Sequence, residues 1–267
     1  AVCHPQVVED GHETIPEYSM DGRPHAEAGN VALFDVGGME LPYYDSDDFV
    51  IFCGPGRYTI LYDTLYRQAA WVAYLLTRDD AGAKAAGRRN KFTPDPEVVR
   101  RGYPTAHTSH YTNTGYDRGH LLPSADRVGC QEENDATFHL SNISPQAPAL
   151  NRRVWKALED QVRRWAERYD SVWVVTGGVL KPGLECINNG IGVPEHFYKV
   201  LLTCDDSKYS SVGFLLPNSA DISGRFMDYA VTVDSVQRLT SYDFFHRLPD
   251  HMEEVVESAF DLSFWAL

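Results

Sequence analysis

The sequence has no long apolar run and no repeated segment. Its longest mainly apolar stretch, residues 69–76, ends at Thr77 and Arg78, far short of the roughly 18 apolar residues that a membrane-spanning helix requires. No tract is of low complexity, which argues against solenoid and fibrous architectures. We therefore expect a globular protein without a membrane span.

Cysteine is scarce and scattered. The five cysteines are Cys3, Cys53, Cys130, Cys186 and Cys204. They include no CxxC pair, and no histidines stand at HExxH or HxxxH spacing, so a zinc knuckle, a thioredoxin-like redox site and a zinc-protease site are disfavoured. Cys186 and Cys204 flank a segment that contains a predicted strand. The sequence leaves two states open for them, a disulfide in an exported protein or free thiols.

Net positive charge is also missing. The chain carries 24 Lys and Arg against 38 Asp and Glu, a formal net charge of -14. Proteins that bind polyanions usually rely on basic side chains, so the overall balance is unfavourable for such a partner. Residues 84–168 differ, with 14 basic against 10 acidic side chains. That distribution is compatible with a cationic cleft in an acidic protein or with solvated helix faces.

What is present is the composition of an ordinary folded protein. Hydrophobic residues make up 43% of the chain and charged residues 23%, values typical of globular domains. The length suits one large domain with a substantial core. Residues 1–45 are rich in Gly, Pro, Glu and His and show little periodicity. We predict an irregular N-terminal arm there, followed by a single domain over residues 46–267.

Periodicity predicts a domain that mixes strands and helices. Runs of β-branched and aromatic residues predict a hairpin and four further strands. Apolar side chains at three- and four-residue spacing predict a helix over residues 151–169. Prolines exclude a continuous helix from the long connection of residues 79–115. The predicted strands are residues 49–52, 58–62, 71–76, 171–176, 197–203 and 211–216, and two C-terminal helices are predicted over residues 233–239 and 251–260.

The sharpest local pattern is Asp117-Arg118-Gly119-His120. Hydrolysis of a phosphodiester needs a base for the attacking water and positive charge where the transition state gathers negative charge. His120 can accept a proton near neutral pH, and Arg118 can contact a phosphate oxygen. Gly119 lets the backbone approach a substrate closely. The tetrapeptide suits phosphodiester chemistry, although each residue alone could equally be an ordinary surface or core side chain.

A polar row on the predicted helix is the second chemical pattern. Asn151, Trp155, Glu159 and Arg163 stand at four-residue steps, so they form one row beside the apolar stripe. The Asn151 amide oxygen is a hard ligand suited to Mg²⁺, and Glu159 can hold one of the ion's waters. Without that chemistry, Glu159 and Arg163 form an exposed salt bridge and Asn151 is an ordinary residue near a helix start.

Five segments of the chain together resemble a known family. They are residues 71–77 (WVAYLLT), 88–96 (RRNKFTPDP), 114–127 (TGYDRGHLLPSADR), 140–163 (LSNISPQAPALNRRVWKALEDQVR) and 172–180 (VWVVTGGVL). In order and approximate spacing they resemble the DNA/RNA non-specific endonuclease family, which includes the Serratia-type nuclease and endonuclease G. The similarity extends through residues 193–202 and 244–254. It covers most of the domain and leaves out the N-terminal arm.

The resemblance assigns roles to individual residues. His120 falls on the family's general base, and Asn151 falls on the direct protein ligand of the catalytic Mg²⁺. Glu159 falls on the carboxylate that orients metal-bound water. The remaining matches to catalytic positions are Arg118, Arg89, Arg163 and Asn142.

The same resemblance implies a fold and a reaction. The fold is α+β, a central antiparallel sheet flanked by helices with an embedded ββα-metal finger. The reaction is in-line attack by water that His120 activates, with Mg²⁺ or a substitute such as Mn²⁺ at the phosphate. Products would carry 5′-phosphate and 3′-hydroxyl ends. DNA and RNA are the implied partners, and homodimers are frequent in the family. Residues assigned to substrate binding are Asp117, Gly119, Arg88 and Arg152.

Two other functions stay open on the sequence alone. A metal-dependent phosphodiesterase for small nucleotides would use the same catalytic groups and would suit the acidic balance. A catalytically silent nucleic-acid-binding module would keep only the scaffold. Because an unspecific nuclease is dangerous in the cytosol, we expect a secreted or periplasmic protein, although no basic-then-apolar leader is seen in the sequence.

Overall fold

The computed structural model describes residues 38–44, 49–54 and 56–266. The strands are β1 (Phe49–Cys53), β2 (Tyr58–Asp63), β3 (Gln68–Thr77), β4 (Asp117–His120), β5 (Ile143–Gln146), β6 (Ser171–Gly178), β7 (Cys186–Ile187), β8 (Ile191–Gly192), β9 (His196–Asp205), β10 (Lys208–Pro217) and β11 (Ala230–Val231). The helices are α1 (Arg78–Gly82), α2 (Pro96–Arg100), α3 (Gln131–Ala136), α4 (Lys156–Tyr169), α5 (Val233–Thr240) and α6 (Asp250–Ser258). None of the described helices is long and apolar enough to cross a membrane.

Seven strands form one antiparallel sheet in the order β1-β2-β3-β6-β9-β10-β11. The predicted hairpin is confirmed, since β1 pairs with β2 and Cys53 lies opposite Tyr58. The other four predicted strands are also present as β3, β6, β9 and β10, each longer than its sequence signal. Strands that are distant in sequence, β3 and β6, meet at the centre of the sheet.

Both faces of this sheet are covered. Successive side chains of a strand point to opposite faces, and along β3 Val72 and Tyr74 belong to one apolar core while Trp71 and Ala73 belong to another. The first core includes the inner face of α4, and the second includes residues of α5 and α6. The apolar run in β3 is continuous because the strand is buried on both sides.

The helix predicted over residues 151–169 is present, but it begins differently. Leu150–Trp155 is a π-helical turn that leads directly into α4. Leu158, Val162 and Trp165 form the predicted apolar stripe and are each at most 1% exposed. π-turns at the start or inside of α-helices are frequent at functional sites, and this one carries Asn151.

β4 and β5 form a separate two-stranded sheet. Asp117 lies opposite Gln146 and His120 lies opposite Ile143. A few residues after β5 the chain enters the π-turn and α4, so the two strands and the helix form one ββα unit. The predicted α+β class, with an antiparallel sheet, flanking helices and an embedded finger, is confirmed.

The structure settles the state of Cys186 and Cys204, which the sequence left open between a disulfide and free thiols. Both are free thiols, whereas Cys130 is disulfide-bonded. Cys186 lies in the short strand β7, and Cys204 lies near the far end of β9, which begins at His196. An extended strand advances about 3.3 Å per residue, so β9 carries Cys204 roughly 26 Å beyond the end where the chain enters it from β8.

Most of the predicted N-terminal arm, residues 1–37 and residue 45, lies outside the described residues. The described part of it belongs to a compact unit that runs from residue 38 to residue 267. Met39 is 1% exposed and packs in the second core. The backbone of Tyr43 pairs with that of Asp243 in both directions, at 2.8 and 3.0 Å. Residues 38–44 therefore pack against the C-terminal part of the domain.

Candidate active site

β4 places His120 in an aromatic pocket. Its side chain is 7% exposed, and its ring lies 4.8 Å from the ring of Phe138 and 5.6 Å from the ring of Phe92, between centroids. The Nε2 atom is buried and has no hydrogen-bond partner among the described residues. Burial, and then the charge of Arg88, lowers the pKa of His120 to about 3. The imidazole is therefore neutral at neutral pH, with a nitrogen free to take a proton.

The same two phenylalanine rings hold two arginines near the imidazole. Arg118 lies over Phe92, with 4.5 Å between its Cζ and the ring centroid. Arg88 lies over Phe138 at 5.2 Å. Stacking on a ring orients a guanidinium toward an anion. Arg88 is oriented further by hydrogen bonds that it donates from Nε to Asn90 at 2.6 Å and from Nη1 to Ser124 at 3.1 Å. Arg88 and Arg118 thus flank His120, and the phenylalanines that organise them were not recognised from the sequence.

Arg89 lies in a different environment from its neighbour Arg88. Its Nη1 donates to Asp135 Oδ2 at 2.9 Å, and 59% of its side chain is exposed. The family resemblance assigned Arg89 to a catalytic position and Arg88 to substrate binding. In the structure the charge that reaches the His120 imidazole is that of Arg88, while Arg89 forms a surface ion pair.

Asp117 clamps the predicted metal ligand. Asn151 donates from Nδ2 to Asp117 Oδ2 at 2.9 Å, and Arg152 donates to both carboxylate oxygens at 2.8 and 2.6 Å. Burial alone would raise the pKa of Asp117, but the hydrogen bonds from Arg152 and Asn151 outweigh it and lower the pKa. The Asn151 amide is held by its nitrogen, so its oxygen points away from the clamp.

Gly119 is required by its neighbour across the hairpin. A Cβ atom at this position would lie 2.1 Å from Gln146 Oε1 and 2.3 Å from its Cδ. Gln146 is fully buried, and both of its amide atoms lack a hydrogen-bond partner among the described residues. The space that Gly119 leaves is therefore filled by Gln146, a site residue that the sequence reasoning missed although it ends the SNISPQ segment.

Asn142 is fully buried and braces the loop that follows β4. Its Nδ2 donates to the carbonyl oxygens of Leu122 and Thr137 at 2.9 and 2.8 Å, and its Oδ1 accepts from the Leu122 N–H at 2.9 Å. Each side-chain atom able to form hydrogen bonds is satisfied by backbone. Asn142 was predicted to be catalytic, but its contacts are those of a positioning residue. It holds the backbone of Leu122, and His120 stands two residues before Leu122 in the chain.

Glu159 and Arg163 lie on α4 but do not pair with each other. Arg163 donates from Nη1 to the buried Asp126 at 2.7 Å and from Nη2 to Asp160. Glu159 is half-buried and accepts no hydrogen bond from the described residues. Burial raises the pKa of Glu159 to about 7, with Lys199 and Arg163 opposing the rise. Its carboxylate is thus available to a ligand, which the exposed salt bridge considered from the sequence would not allow.

Lys199 is a buried cation that the sequence reasoning missed. It is fully buried on β9, its Nζ lies 4.8 Å from the ring centroid of Trp155, and no described residue accepts a hydrogen bond from it. Burial lowers its pKa to about 8, and Glu159 and Asp126 oppose that fall. The signal in the sequence was a single lysine inside the apolar strand FYKVLLT.

Comparisons with known proteins identify the family of this chain. The model of the DNA/RNA non-specific endonuclease family matches residues 54–251. A nuclease of Nostoc sp. is 31% identical, over 77% of this chain and 77% of its own length. Nuclease C1 of Cunninghamella echinulata is 33% identical, over 72% and 81%, and mitochondrial endonuclease G of Bos taurus is 31% identical, over 83% and 76%.

A solved structure, that of EndoG in complex with EndoGI, superposes with a TM-score of 0.68 at 29% identity and covers 77% of this chain and 89% of that one. The enzyme class predicted from the sequence, a metal-dependent nuclease that hydrolyses DNA and RNA phosphodiester bonds, is therefore confirmed. With the family model, the curated relatives and the shared fold all in agreement, the chain belongs to the DNA/RNA non-specific endonuclease family.

Proposed function

We propose that this nuclease is Mg²⁺-dependent, with His120 as general base and Asn151 as the metal ligand, and that it leaves 5′-phosphate and 3′-hydroxyl ends. One observation carries the proposal. At the start of β4 Asp117 holds the Asn151 amide by its nitrogen, and at the end of the same strand His120 presents a buried, unpartnered Nε2. One short strand thus fixes a hard oxygen ligand and a neutral base.

The groups around Asn151 fit Mg²⁺. Its amide oxygen is a hard ligand, and Mg²⁺ in proteins keeps several of its waters. The Glu159 carboxylate accepts no hydrogen bond from the described residues, so it is free to orient such waters. Bound at Asn151, the ion supplies positive charge at the scissile phosphate and at the departing 3′ oxygen. Mn²⁺ also prefers oxygen ligands and is expected to substitute.

His120 takes the proton of the attacking water at Nε2. The rings of Phe92 and Phe138 pack against the imidazole and hold its plane. A pKa near 3 makes the free enzyme's base weak. An anionic phosphate offsets the charge of Arg88, so we expect substrate binding to raise the pKa of His120 toward the range in which a base is most effective.

Arg88 and Arg118 contact the phosphate that is cleaved. Their guanidinium groups are oriented by the two rings beside His120, and a guanidinium matches phosphate geometry. Arg89 and Arg152 have side chains that are 59% and 68% exposed and meet the nucleic-acid backbone farther from the reacting bond. Phosphate contacts carry no information on base or sugar, which supports cleavage of both DNA and RNA.

The decisive experiment is digestion of plasmid DNA and total RNA at low salt by the wild type and by His120→Ala. We expect both polymers to be cut with Mg²⁺ and neither with EDTA. The His120→Ala rate should fall by roughly 10²- to 10⁴-fold, the usual contribution of a general base. His251→Ala, which changes an exposed histidine of α6, should cleave like the wild type.

Two outcomes would overturn the proposal. Unchanged cleavage by His120→Ala would mean that another group is the base. A wild type that cuts neither polymer but hydrolyses a small phosphodiester such as bis(p-nitrophenyl) phosphate would favour the small-nucleotide phosphodiesterase. Added salt should then change the rate little, since only polymer binding releases many counterions.

Export and dimerisation are further parts of the proposal. The disulfide at Cys130 favours an oxidising compartment, because disulfides rarely persist in a reducing cytosol, and we propose a secreted or periplasmic enzyme. Fractionation of the source cells tests this, and recovery in the cytosol would contradict it. We also propose a homodimer, on the family resemblance alone. Light scattering at micromolar concentration should give twice the chain mass of 30.1 kDa, and the single mass would contradict it.

A further inference from the structure

The α5 and α6 side of the sheet holds three carboxylates at one point. Asp243, Glu253 and Glu257 each place a carboxylate oxygen within 4.8 Å of the other two. Glu253 and Glu257 are four residues apart on α6, so they share one helix face. Asp243 lies in the loop between α5 and α6, where its backbone pairs with Tyr43. These residues lie on the opposite face of the sheet from α4.

Glu257 lacks a partner that could balance its charge. It is 4% exposed, and its buried Oε1 has no hydrogen-bond partner among the described residues. Its other oxygen accepts one hydrogen bond, from Gln237 Nε2 at 3.1 Å, and that donor is neutral. A buried carboxylate is costly unless a cation or several donors compensate it. The unpaired Oε1 therefore marks a place for a ligand.

Neighbouring charges add to this imbalance. Within the described residues, no arginine, lysine or histidine forms a salt bridge with any of the three carboxylates. Arg247 lies on the same loop, and its positive charge opposes the rise that burial causes in the pKa of Glu40. The described residues therefore supply no ion pair that would balance these carboxylates.

We infer that Asp243, Glu253 and Glu257 bind one Ca²⁺ ion. Calcium takes carboxylate oxygens at about 2.3–2.6 Å, so any two of its ligand atoms stand at most about 5 Å apart, a condition that the three carboxylates meet. Mg²⁺ demands near-ideal octahedral geometry and is usually bound through only one or two carboxylates, so a set of three carboxylates favours Ca²⁺. Water would complete the coordination, because Asp243 and Glu253 are only partly buried.

The position of the site indicates what the ion does. Asp243 is tied to Tyr43 by backbone hydrogen bonds, and Gln237 on α5 contacts Glu257. An ion at this point links α6 to the preceding loop and, through that loop, to residues 38–44. Calcium is thus a structural ligand that fastens the last helix of the domain, and its binding is independent of nucleic-acid cleavage.

The test is calorimetric titration and thermal unfolding with Ca²⁺ in an Asn151→Ala background, which removes the proposed catalytic metal ligand. We expect one Ca²⁺ per chain. At about 100 times the dissociation constant, the unfolding temperature should rise by roughly 5 °C relative to EDTA. Adding Glu257→Gln should abolish both the binding and the rise. Adding Glu254→Gln, at an exposed position of the same helix, should leave both intact.

Glu257→Gln keeps the shape of the side chain and removes the buried charge, so the protein should fold and unfold in EDTA at or above the temperature of its parent. That result separates loss of a ligand from damage to the fold. Absence of calorimetric Ca²⁺ binding in the parent, or a calcium-dependent rise that survives Glu257→Gln, would overturn the inference.

Discussion

The two faces of the central sheet differ in whether their buried charged side chains have neighbours of opposite charge. On the α4 face, Asp126 pairs with Arg163, and the charges of Glu159 and Lys199 oppose each other's pKa shifts. On the α5 and α6 face, the buried Glu257 has only acidic neighbours and one neutral donor. The first face compensates its charges within the chain and keeps one carboxylate free for chemistry. The second face needs an ion from solution to reach the same balance.

Removing the buried cation of the first face should have the largest effect on stability. Lys199→Met removes one of the positive charges near Glu159 and Asp126. Arg163 then remains to oppose the two carboxylates. Breaking a compensated set of buried charges costs roughly 3 kcal/mol, to be measured by urea unfolding. Adding Glu159→Gln should recover much of the loss. Lys208→Met, at an exposed lysine, should change stability by less than about 0.5 kcal/mol. Equal losses for the two lysines would contradict the role of Lys199.

The clamp on the metal ligand should govern the metal requirement. Asp117→Ala frees the Asn151 amide, so the Mg²⁺ concentration for half-maximal cleavage should rise roughly 10- to 100-fold, as for other partners of metal ligands. Arg152→Ala keeps the hydrogen bond between Asn151 and Asp117, so it should raise this Mg²⁺ concentration much less. A titration in which the two variants behave alike would show that the clamp does not orient Asn151.

The two adjacent arginines should differ in cleavage and in pH dependence. Arg88→Ala should lower kcat/KM by about tenfold, the value of one charge-assisted hydrogen bond, whereas Arg89→Ala should cost little. The Arg88 charge lowers the pKa of His120, so its loss raises that pKa and moves the acidic limb of the kcat/KM profile to higher pH. An unmoved limb, or a larger loss for Arg89→Ala, would restore Arg89 to the role assigned from the sequence.

The acidic face should make a smaller contribution that depends on pH. A carboxyl whose pKa is raised on folding stabilises the protein below its unfolded pKa, and that stability is lost as pH rises toward the folded value. For Glu257 the window runs from about 4.5 to about 9. In EDTA, the chain should lose stability between pH 5 and pH 8, and Glu257→Gln should lose less. If the stability of the two proteins depended on pH in the same way, Glu257 would carry no uncompensated charge, and the contrast between the two faces of the sheet would be wrong.

Local patterns made much of the site predictable. The tetrapeptide that ends at His120 lies on a strand, and the row that begins at Asn151 lies on the helix that follows. Both signals come from residues within a few positions of one another, and one buried stripe fixes the helix face. The ordered motifs were sufficient to identify the family.

Contacts between distant segments could not be read in this way. Phe92 and Phe138 meet at His120 only after folding. The local sequence does not distinguish Arg88 from Arg89, which differ only because Arg88 packs on Phe138 and Arg89 pairs with Asp135 in the folded protein. Glu159, whose charge opposes the pKa shift of Lys199, lies on another element, α4. The state of Cys186 and Cys204 stayed open for the same reason, because separation along a strand depends on where that strand begins.

The central claim is that His120 supplies the base, and chemical rescue tests it most directly. Imidazole added to His120→Ala should restore part of the Mg²⁺-dependent cleavage of plasmid DNA, in proportion to the neutral imidazole in solution as pH is varied. The same additions should not accelerate Asn151→Ala, which keeps its own base. Rescue that follows neutral imidazole is the result predicted here. Cleavage by His120→Ala that stays low at every imidazole concentration and pH, in a variant that still folds and binds DNA, would contradict it.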